Sequence, residues 1–190
     1  MEVGGGQVKE LAVAKKQNMR WAEFGLRLLA FANTLAAALV LGLDKQTKVV
    51  AMQIIPTLPA MNIPVTAEWK YMSAFVYFVV VNAIACGYAV VSLVLTSVGK
   101  GQKSSRVASL VVIVLDLVMV ALLFSSGGAA FAVGLLGYKG NSHVRWNKVC
   151  NVFGRFCGQV GGAVTVSLAA AAFFLLLVLL AIMKLHNKHH

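Results

Sequence analysis

Four long apolar segments, separated by polar connections, set the pattern of hydrophobic and polar positions along this chain. They cover residues 21–43, 71–98, 107–136 and 160–185, and each is long enough for a helix to cross roughly 30 Å of hydrocarbon. None alternates in polarity as barrel strands do, and backbone in lipid must be hydrogen-bonded internally. The pattern therefore predicts an all-α membrane protein, a four-transmembrane-helix bundle.

The flanking and connecting segments are polar and differ in character. Residues 1–20 lack the apolar core of a signal peptide and are expected to form a flexible head. The four-helix membrane domain then occupies residues 21–185, and residues 186–190 form a short basic tail. The connection at 44–70 contains all three prolines, yet it is apolar enough that we expect it to lie on the bilayer surface or against the helix ends.

Composition and charge support a membrane protein. Hydrophobic residues make up 59% of the chain and charged residues 12%, with 17 Lys+Arg against 6 Asp+Glu. The cations lie in the connections, which favours contact with anionic lipid and argues against nucleic acid as a partner. The dense turn with Lys100, Lys103 and Arg106 favours cytosolic termini under the positive-inside rule, while the cations of the last connection argue the other way.

Two charges lie well inside the predicted spans: Arg27 in the first and Asp116 in the third. A carboxylate at a helix centre costs about 2.5–3.5 kcal/mol, so it usually faces the bundle interior and has a partner. Spans one and three run in the same direction, with Arg27 roughly 10 Å deep and Asp116 roughly 14 Å deep. We therefore predict an intramembrane ion pair between Arg27 and Asp116, in which the guanidinium fork fits the carboxylate.

Two alternatives to this pair stay open. In one, Arg27 snorkels to the headgroups and Asp116 is protonated. In the other, Asp116 serves a small proton- or ion-linked transporter or channel, although no proline breaks the spans as transporter helices are often broken. No catalytic trio, paired catalytic carboxylates or metal-spaced Cys/His cluster is visible in the sequence, so we expect no enzymatic activity, no metal and no cofactor.

Small residues four positions apart are the second signal in the spans, because this spacing lets helices approach closely. Packing within the bundle is the first interpretation, and self-association of the protein is the second. The pairs are Ala83 with Gly87, Gly128 with Ala132, and Gly158 with Gly162.

The last connection carries two cysteines, Cys150 and Cys157. A disulfide between them would place this connection in an oxidising compartment and the termini in the cytosol. On a continuous helix the two would sit about 10 Å apart along the axis, which is too far for a bridge, so a disulfide requires a non-helical segment here. Gly154 makes such a turn plausible, and two free thiols on a helix remain the alternative.

Two stretches carry a family resemblance, together with the four spans, the intramembrane Arg and Asp, and the basic turn. They are TAEWKYMSAFVYFVVVNAIACGY at residues 66–88 and GNSHVRWNKVCNVFGRFCGQV at residues 140–160. Over roughly residues 19–186 the chain resembles the Casparian strip membrane domain protein-like (CASP-like) family of plants. The likeness is to its family-1 type, and the family is related to the MARVEL four-helix proteins.

This resemblance implies a multi-pass plasma-membrane protein with both termini cytoplasmic. It implies a non-enzymatic scaffold that associates with itself and its relatives, as homodimers and heterodimers, in membrane domains, and that organises secreted cell-wall-modifying enzymes. Arg27 and Asp116 match the family's intramembrane pair, and Cys150 and Cys157 match its paired loop cysteines. The first loop lacks the acidic and aromatic stretch of the strip-forming members, so the resemblance implies a general scaffold and not strip formation itself.

Overall fold

Four long helices and one β-hairpin form most of the described part of the chain. The computed structural model describes residues 3–52, 61–98, 106–143, 146 and 148–186. The elements, in chain order, are α1 Val3–Gly42, β1 Lys45–Met52, β2 Met61–Glu68, a single 3₁₀ turn at Trp69–Tyr71, α2 Ser73–Val98, α3 Arg106–Lys139 and α4 Gly154–His186. Within the described residues, four stretches are long and apolar enough to cross a membrane: Gln17–Gly42, Ser73–Ser97, Val107–Lys139 and Gly154–His186.

The four helices form one bundle, which confirms the predicted architecture. Helix α1 packs against α2 and α4, and α3 packs against α4 and α2. Helices α1 and α3 are therefore diagonal to each other, as are α2 and α4. Side chains that join diagonal helices have to cross the centre of the bundle.

Alanine dominates the contacts between the helices, because a small side chain lets two helix backbones approach closely. The alanines that are almost completely buried are Ala30, Ala37, Ala85, Ala89, Ala130, Ala163, Ala170 and Ala171. Larger side chains fill the centre in two clusters, one around Leu123 and Phe174 and the other around Leu41, Phe78 and Phe156. The second cluster lies at the end of the bundle where α1 ends and α4 begins.

The helices are longer than the apolar segments. Helix α1 is already formed at Val3, so the head that we expected to be flexible is helical from that residue. The stretch LAVAKKQNMR consists largely of good helix formers, which explains this extension. Helix α3 continues to Lys139 and ends at Gly140, whose φ of 70° closes the last turn with a bond from its N–H to Leu136 O of 2.8 Å.

The connection between α1 and α2 contains an antiparallel hairpin that we did not predict. Strands β1 and β2 pair in register from Lys45 with Glu68 to Met52 with Met61. β-branched residues in both strands favour this conformation. Val65 and Ala67 of β2 pack against the second cluster, which contains Phe156, so the hairpin rests on the ends of the helices, one of the two locations that we expected.

Three expectations fall on residues outside the described ranges. They concern the basic turn up to residue 105, the tail from residue 187, and the part of the first connection with Pro56 and Pro59.

Candidate functional site: a polar network inside the bundle

Arg27 and Asp116 meet across the diagonal of the bundle. Arg27 on α1 is 7% exposed and Asp116 on α3 is 1% exposed, so both are shielded from the surroundings. Arg27 Nη2 lies 3.3 Å from Asp116 Oδ2, and Nη1 lies 3.4 Å from Oδ1. Two nitrogens of one guanidinium thus address two oxygens of one carboxylate, which is the fork geometry that distinguishes Arg from Lys.

Tyr88 is the third member of this group, and the sequence analysis missed it. Its hydroxyl donates to Asp116 Oδ1 at 2.7 Å, which is shorter than either contact to Arg27. The ring comes from α2 and lies with its centroid 6.0 Å from that of Phe174 on α4. The spacing of the tyrosines in this span gives no signal, but a buried carboxylate needs several hydrogen-bond donors, and that need could have directed attention to Tyr88.

A second ion pair lies near the first, at the end of the bundle where α1 starts its apolar run and α4 ends. Lys184 Nζ donates to Glu23 at 2.9 Å to Oε1 and 3.1 Å to Oε2. Glu23 is one helical turn before Arg27 on α1. The two pairs together with Tyr88 therefore involve all four helices, and the formal charges of the two acidic and two basic residues sum to zero.

A separate polar layer divides the two apolar clusters. It takes one fully buried residue from each helix: Thr34, Asn82, Ser126 and Ser167. Ser167 donates to Asn82 Oδ1 at 2.9 Å, which joins the other diagonal of the bundle, and the Asn82 amide donates to Phe78 O at 2.9 Å. Thr34 and Ser126 donate to carbonyls of their own helices. Such local bonds satisfy hydroxyls where water is absent.

The N-terminal end of α4 is held by a disulfide. Cys150 and Cys157 are bonded with their Cα atoms 5.7 Å apart. Helix α4 begins at Gly154, earlier than the predicted start at residue 160, and places Cys157 in its first turn while Cys150 lies before it. This arrangement contains the non-helical segment that a bridge of this spacing requires. Gln46 of β1 caps the same helix end by accepting the Phe156 N–H at 3.0 Å.

Asp44 is a buried acid at the same end of the bundle, where α1 ends and α4 begins. Burial raises the pKa of the Asp44 carboxyl above its usual range, although the charge of Arg155 and the backbone N–H of Lys45 both favour the ionised form. The amide of Gln159, oriented with its nitrogen toward Asp44, donates to both carboxylate oxygens, at 3.0 Å to Oδ2. The hairpin is thus joined to α4 through Asp44 as well as through Gln46.

The small residues selected from the sequence lie on the outside of the bundle. Ala83, Gly87, Gly128, Ala132, Gly158 and Gly162 are all exposed. A Cβ built on any of these four glycines would meet no atom within 4 Å. Packing within the bundle, our first interpretation, was therefore wrong for these positions: α2 uses Ala85 and Ala89. At the contact between α3 and α4 the close approach is at Gly127, whose Cβ would lie 3.3 Å from Leu168 Cδ2.

The described residues offer little for metal or acid–base chemistry. Among them, no group of three or more His, Cys, Asp or Glu could hold a metal ion. Every fully buried side-chain nitrogen or oxygen in the described part of the chain has a hydrogen-bond partner. The buried polar groups are thus engaged with one another.

Comparison with known proteins gives one family. Residues 16–173 match the family model of the Casparian strip membrane protein domain. The chain is 56% identical to a protein named CASP-like protein 1E2 from Vitis vinifera over 95% of this chain and 92% of that protein. It is 58% identical to CASP-like protein 1E1 from Glycine max over 86% of each chain, and 49% identical to CASP-like protein 1E1 from Arabidopsis thaliana over 93% of each. No solved structure matches.

Proposed function

The chain belongs to the Casparian strip membrane protein domain family, with relatives of the family-1 type, and on that premise we propose that it is a non-enzymatic plasma-membrane scaffold. In this proposal it associates with itself and with related members in the bilayer. Its loops gather secreted wall-modifying enzymes.

The observation that carries the proposal is the closed polar interior of the bundle. The Arg27 guanidinium and the Tyr88 hydroxyl both donate hydrogen bonds to the Asp116 carboxylate. The Ser167 hydroxyl donates to the side-chain oxygen of Asn82. In the described residues no buried side-chain polar atom is left to bind a solute. A transported ion would have to displace a guanidinium and a hydroxyl from Asp116. A permanent structural clamp fits this arrangement better than the proton- or ion-linked transporter that the sequence also allowed.

The outer surface of the helices supports self-association. The three pairs of small residues lie on the surface that faces lipid. Their small side chains leave shallow depressions in that surface along α2, α3 and α4. A second chain can approach closely at such positions, and helix association in lipid depends on close packing of this kind. The pair Gly158 and Gly162 lies on α4, next to the helix end that carries the disulfide.

The orientation in the proposal has cytosolic termini. The disulfide supports it, because bridges form and persist in oxidising compartments. Labelling with an impermeant thiol reagent on intact cells tests it: Cys150 and Cys157 should react only after reduction. Labelling without a reductant would remove the support that the disulfide gives.

A size measurement on the full-length chain in native membranes tests the scaffold function. We expect cross-linking to trap dimers or larger assemblies, and Gly162→Leu to reduce them strongly. Gly25→Leu on α1 is the matched control, since Gly25 also has open space around it but belongs to none of the pairs. A monomer under all conditions would contradict the scaffold, as would an Asp116→Asn variant that assembles normally but loses a proton flux across liposomes.

A further inference from the structure

The two edges of the hairpin are not equivalent. Pro64 in β2 faces Val49 in β1. Proline has no N–H to donate, and the ladder continues through all eight pairs, so Pro64 occupies a position where its nitrogen points away from β1. The outer edge of β2 is therefore blocked in its middle by proline, a common device against edge pairing.

The outer edge of β1 carries no such block. In an antiparallel ladder the residues alternate, so Val49, like Pro64, directs its backbone groups outward, and so does Thr47. A side-chain bond of 3.0 Å between Thr47 and Thr66 joins another outward pair. The sheet consists of these two strands, and the backbone groups of Thr47 and Val49 make no further hydrogen bond with the described residues.

The side chain of Val49 gives a second, independent indication. It is 66% exposed, on the side of the hairpin opposite to the one that packs on the helix ends. An exposed β-branched residue on an unpaired strand edge favours contact with another strand. The strand edge and the exposed valine thus belong to one surface, which we call the β1 edge (the outward backbone and side chains of Thr47 and Val49).

We propose that the β1 edge pairs antiparallel with the β1 edge of a second copy, centred on Val49, and forms a four-stranded sheet across two molecules. This inference rests on the proposed self-association and names the surface used outside the membrane. With β2 blocked, the hairpin formed by the described residues of each chain offers a single open edge. A single self-complementary edge gives a closed pair and not an open chain of copies.

Charge selects the register. If Thr47 of one copy faced Val49 of the other, Lys48 would face Lys48 directly, and like charges in opposite positions are destabilising. When Val49 faces Val49, Lys48 lies opposite Val50 and the two valine side chains cover each other. The charges therefore disfavour the register that pairs Thr47 with Val49, and the mutual covering of the exposed valines favours the register centred on Val49.

Cysteine cross-linking in native membranes tests the pairing, with the full-length chain in a Cys86→Ser background. In the proposed sheet the two Val49 Cα atoms lie about 5.5 Å apart, so Val49→Cys should give a dimer with a short bis-maleimide. Asn62→Cys is the matched control: it is exposed on the same side of the hairpin, but on β2. Three strand spacings across the sheet, about 14 Å, and about 13 Å along the strands would separate the two copies at this position by about 20 Å in all, so it should stay monomeric.

A pair of proline variants tests the backbone pairing. Val49→Pro leaves the ladder with β2 intact, since that N–H points outward, but removes the central bonds between copies. We expect it to reduce the dimerisation constant, obtained from dimer fractions counted by single-molecule photobleaching in liposomes, by about tenfold, which corresponds to about 1.4 kcal/mol. Asn62→Pro places the same change on the other edge and should leave the dimer fraction unchanged.

The outcomes separate this inference from the proposed function. If the protein forms dimers but Val49→Cys does not cross-link, the strand pairing is wrong and the scaffold stands. If no cross-linker traps any assembly, both are wrong. If Val49→Cys cross-links to a different protein, the β1 edge binds a strand of that partner, and the pairing between copies is wrong.

Discussion

Replacing Asp116 with asparagine tests the intramembrane clamp most directly. The substitution keeps the shape of the side chain but leaves the Arg27 guanidinium, 7% exposed, without its counter-charge. Breaking a buried pair by removing one partner costs about 3–5 kcal/mol. The asparagine oxygen can still accept one bond from Arg27 or Tyr88, so we expect the low end, about 3 kcal/mol. That is roughly a hundredfold shift toward the unfolded state.

The assay is reversible unfolding of the detergent-solubilised protein by SDS, followed by circular dichroism. Glu68→Gln is the matched control, because it makes the same chemical change at a surface pair with Lys45 and Lys70, 3.9 and 3.5 Å away. It should cost less than about 1 kcal/mol. A wild-type unfolding midpoint for Asp116→Asn would refute the clamp.

A double substitution separates the attraction between the charges from the cost of an orphaned charge. Arg27→Met with Asp116→Leu replaces both partners by apolar side chains, which is often close to neutral in a buried site. We expect the double variant to be more stable than Asp116→Asn. If its loss instead equals the sum of two single losses, the two residues act independently and the reasoning fails.

Three further predictions concern the other polar groups. Tyr88→Phe removes the 2.7 Å bond to Asp116 and should cost about 1.5–3 kcal/mol in the same assay, whereas Tyr77→Phe, at the exposed surface, should cost less than half as much. Ser167→Ala leaves Asn82 Oδ1 without its hydrogen bond and should cost about 1–3 kcal/mol. A smaller loss of stability than the one caused by Thr165→Ala, at an exposed position, would contradict the buried polar layer. Because burial raises the pKa of Asp44, this carboxyl stabilises the fold below about pH 4 and the contribution is lost as the pH rises through its folded pKa. Asp44→Asn should therefore flatten the profile of unfolding midpoint against pH above pH 4, and an unchanged profile would contradict the assignment.

The intramembrane charges illustrate what could be predicted from the sequence. Lipid makes a charge so costly that few occur within spans, so Arg27 and Asp116 could be proposed as partners from depth alone. The structure places them 3.3 Å apart. Tyr88 gave no such signal, because tyrosine is an ordinary residue in a membrane span. Only the packing of α2 beside α3 places its hydroxyl where it can donate to Asp116.

The hairpin illustrates the opposite case. The three prolines of the connection indicated a broken segment, and we predicted no strands there. Pairing between β1 and β2 is a contact between residues far apart in sequence, and the packing of Val65 and Ala67 on the helix ends adds to it. Neither contribution can be seen in the local pattern.

The sequence by itself determined that four helices cross the membrane, because apolar segments of this length have few other stable conformations in lipid. Only the tertiary structure decided how each helix is rotated. In a soluble bundle a polar face marks the outside, but here lipid and core are both apolar, so Ala83 with Gly87 could not be told apart from Ala85 with Ala89. The structure buries the second pair and exposes the first to the bilayer.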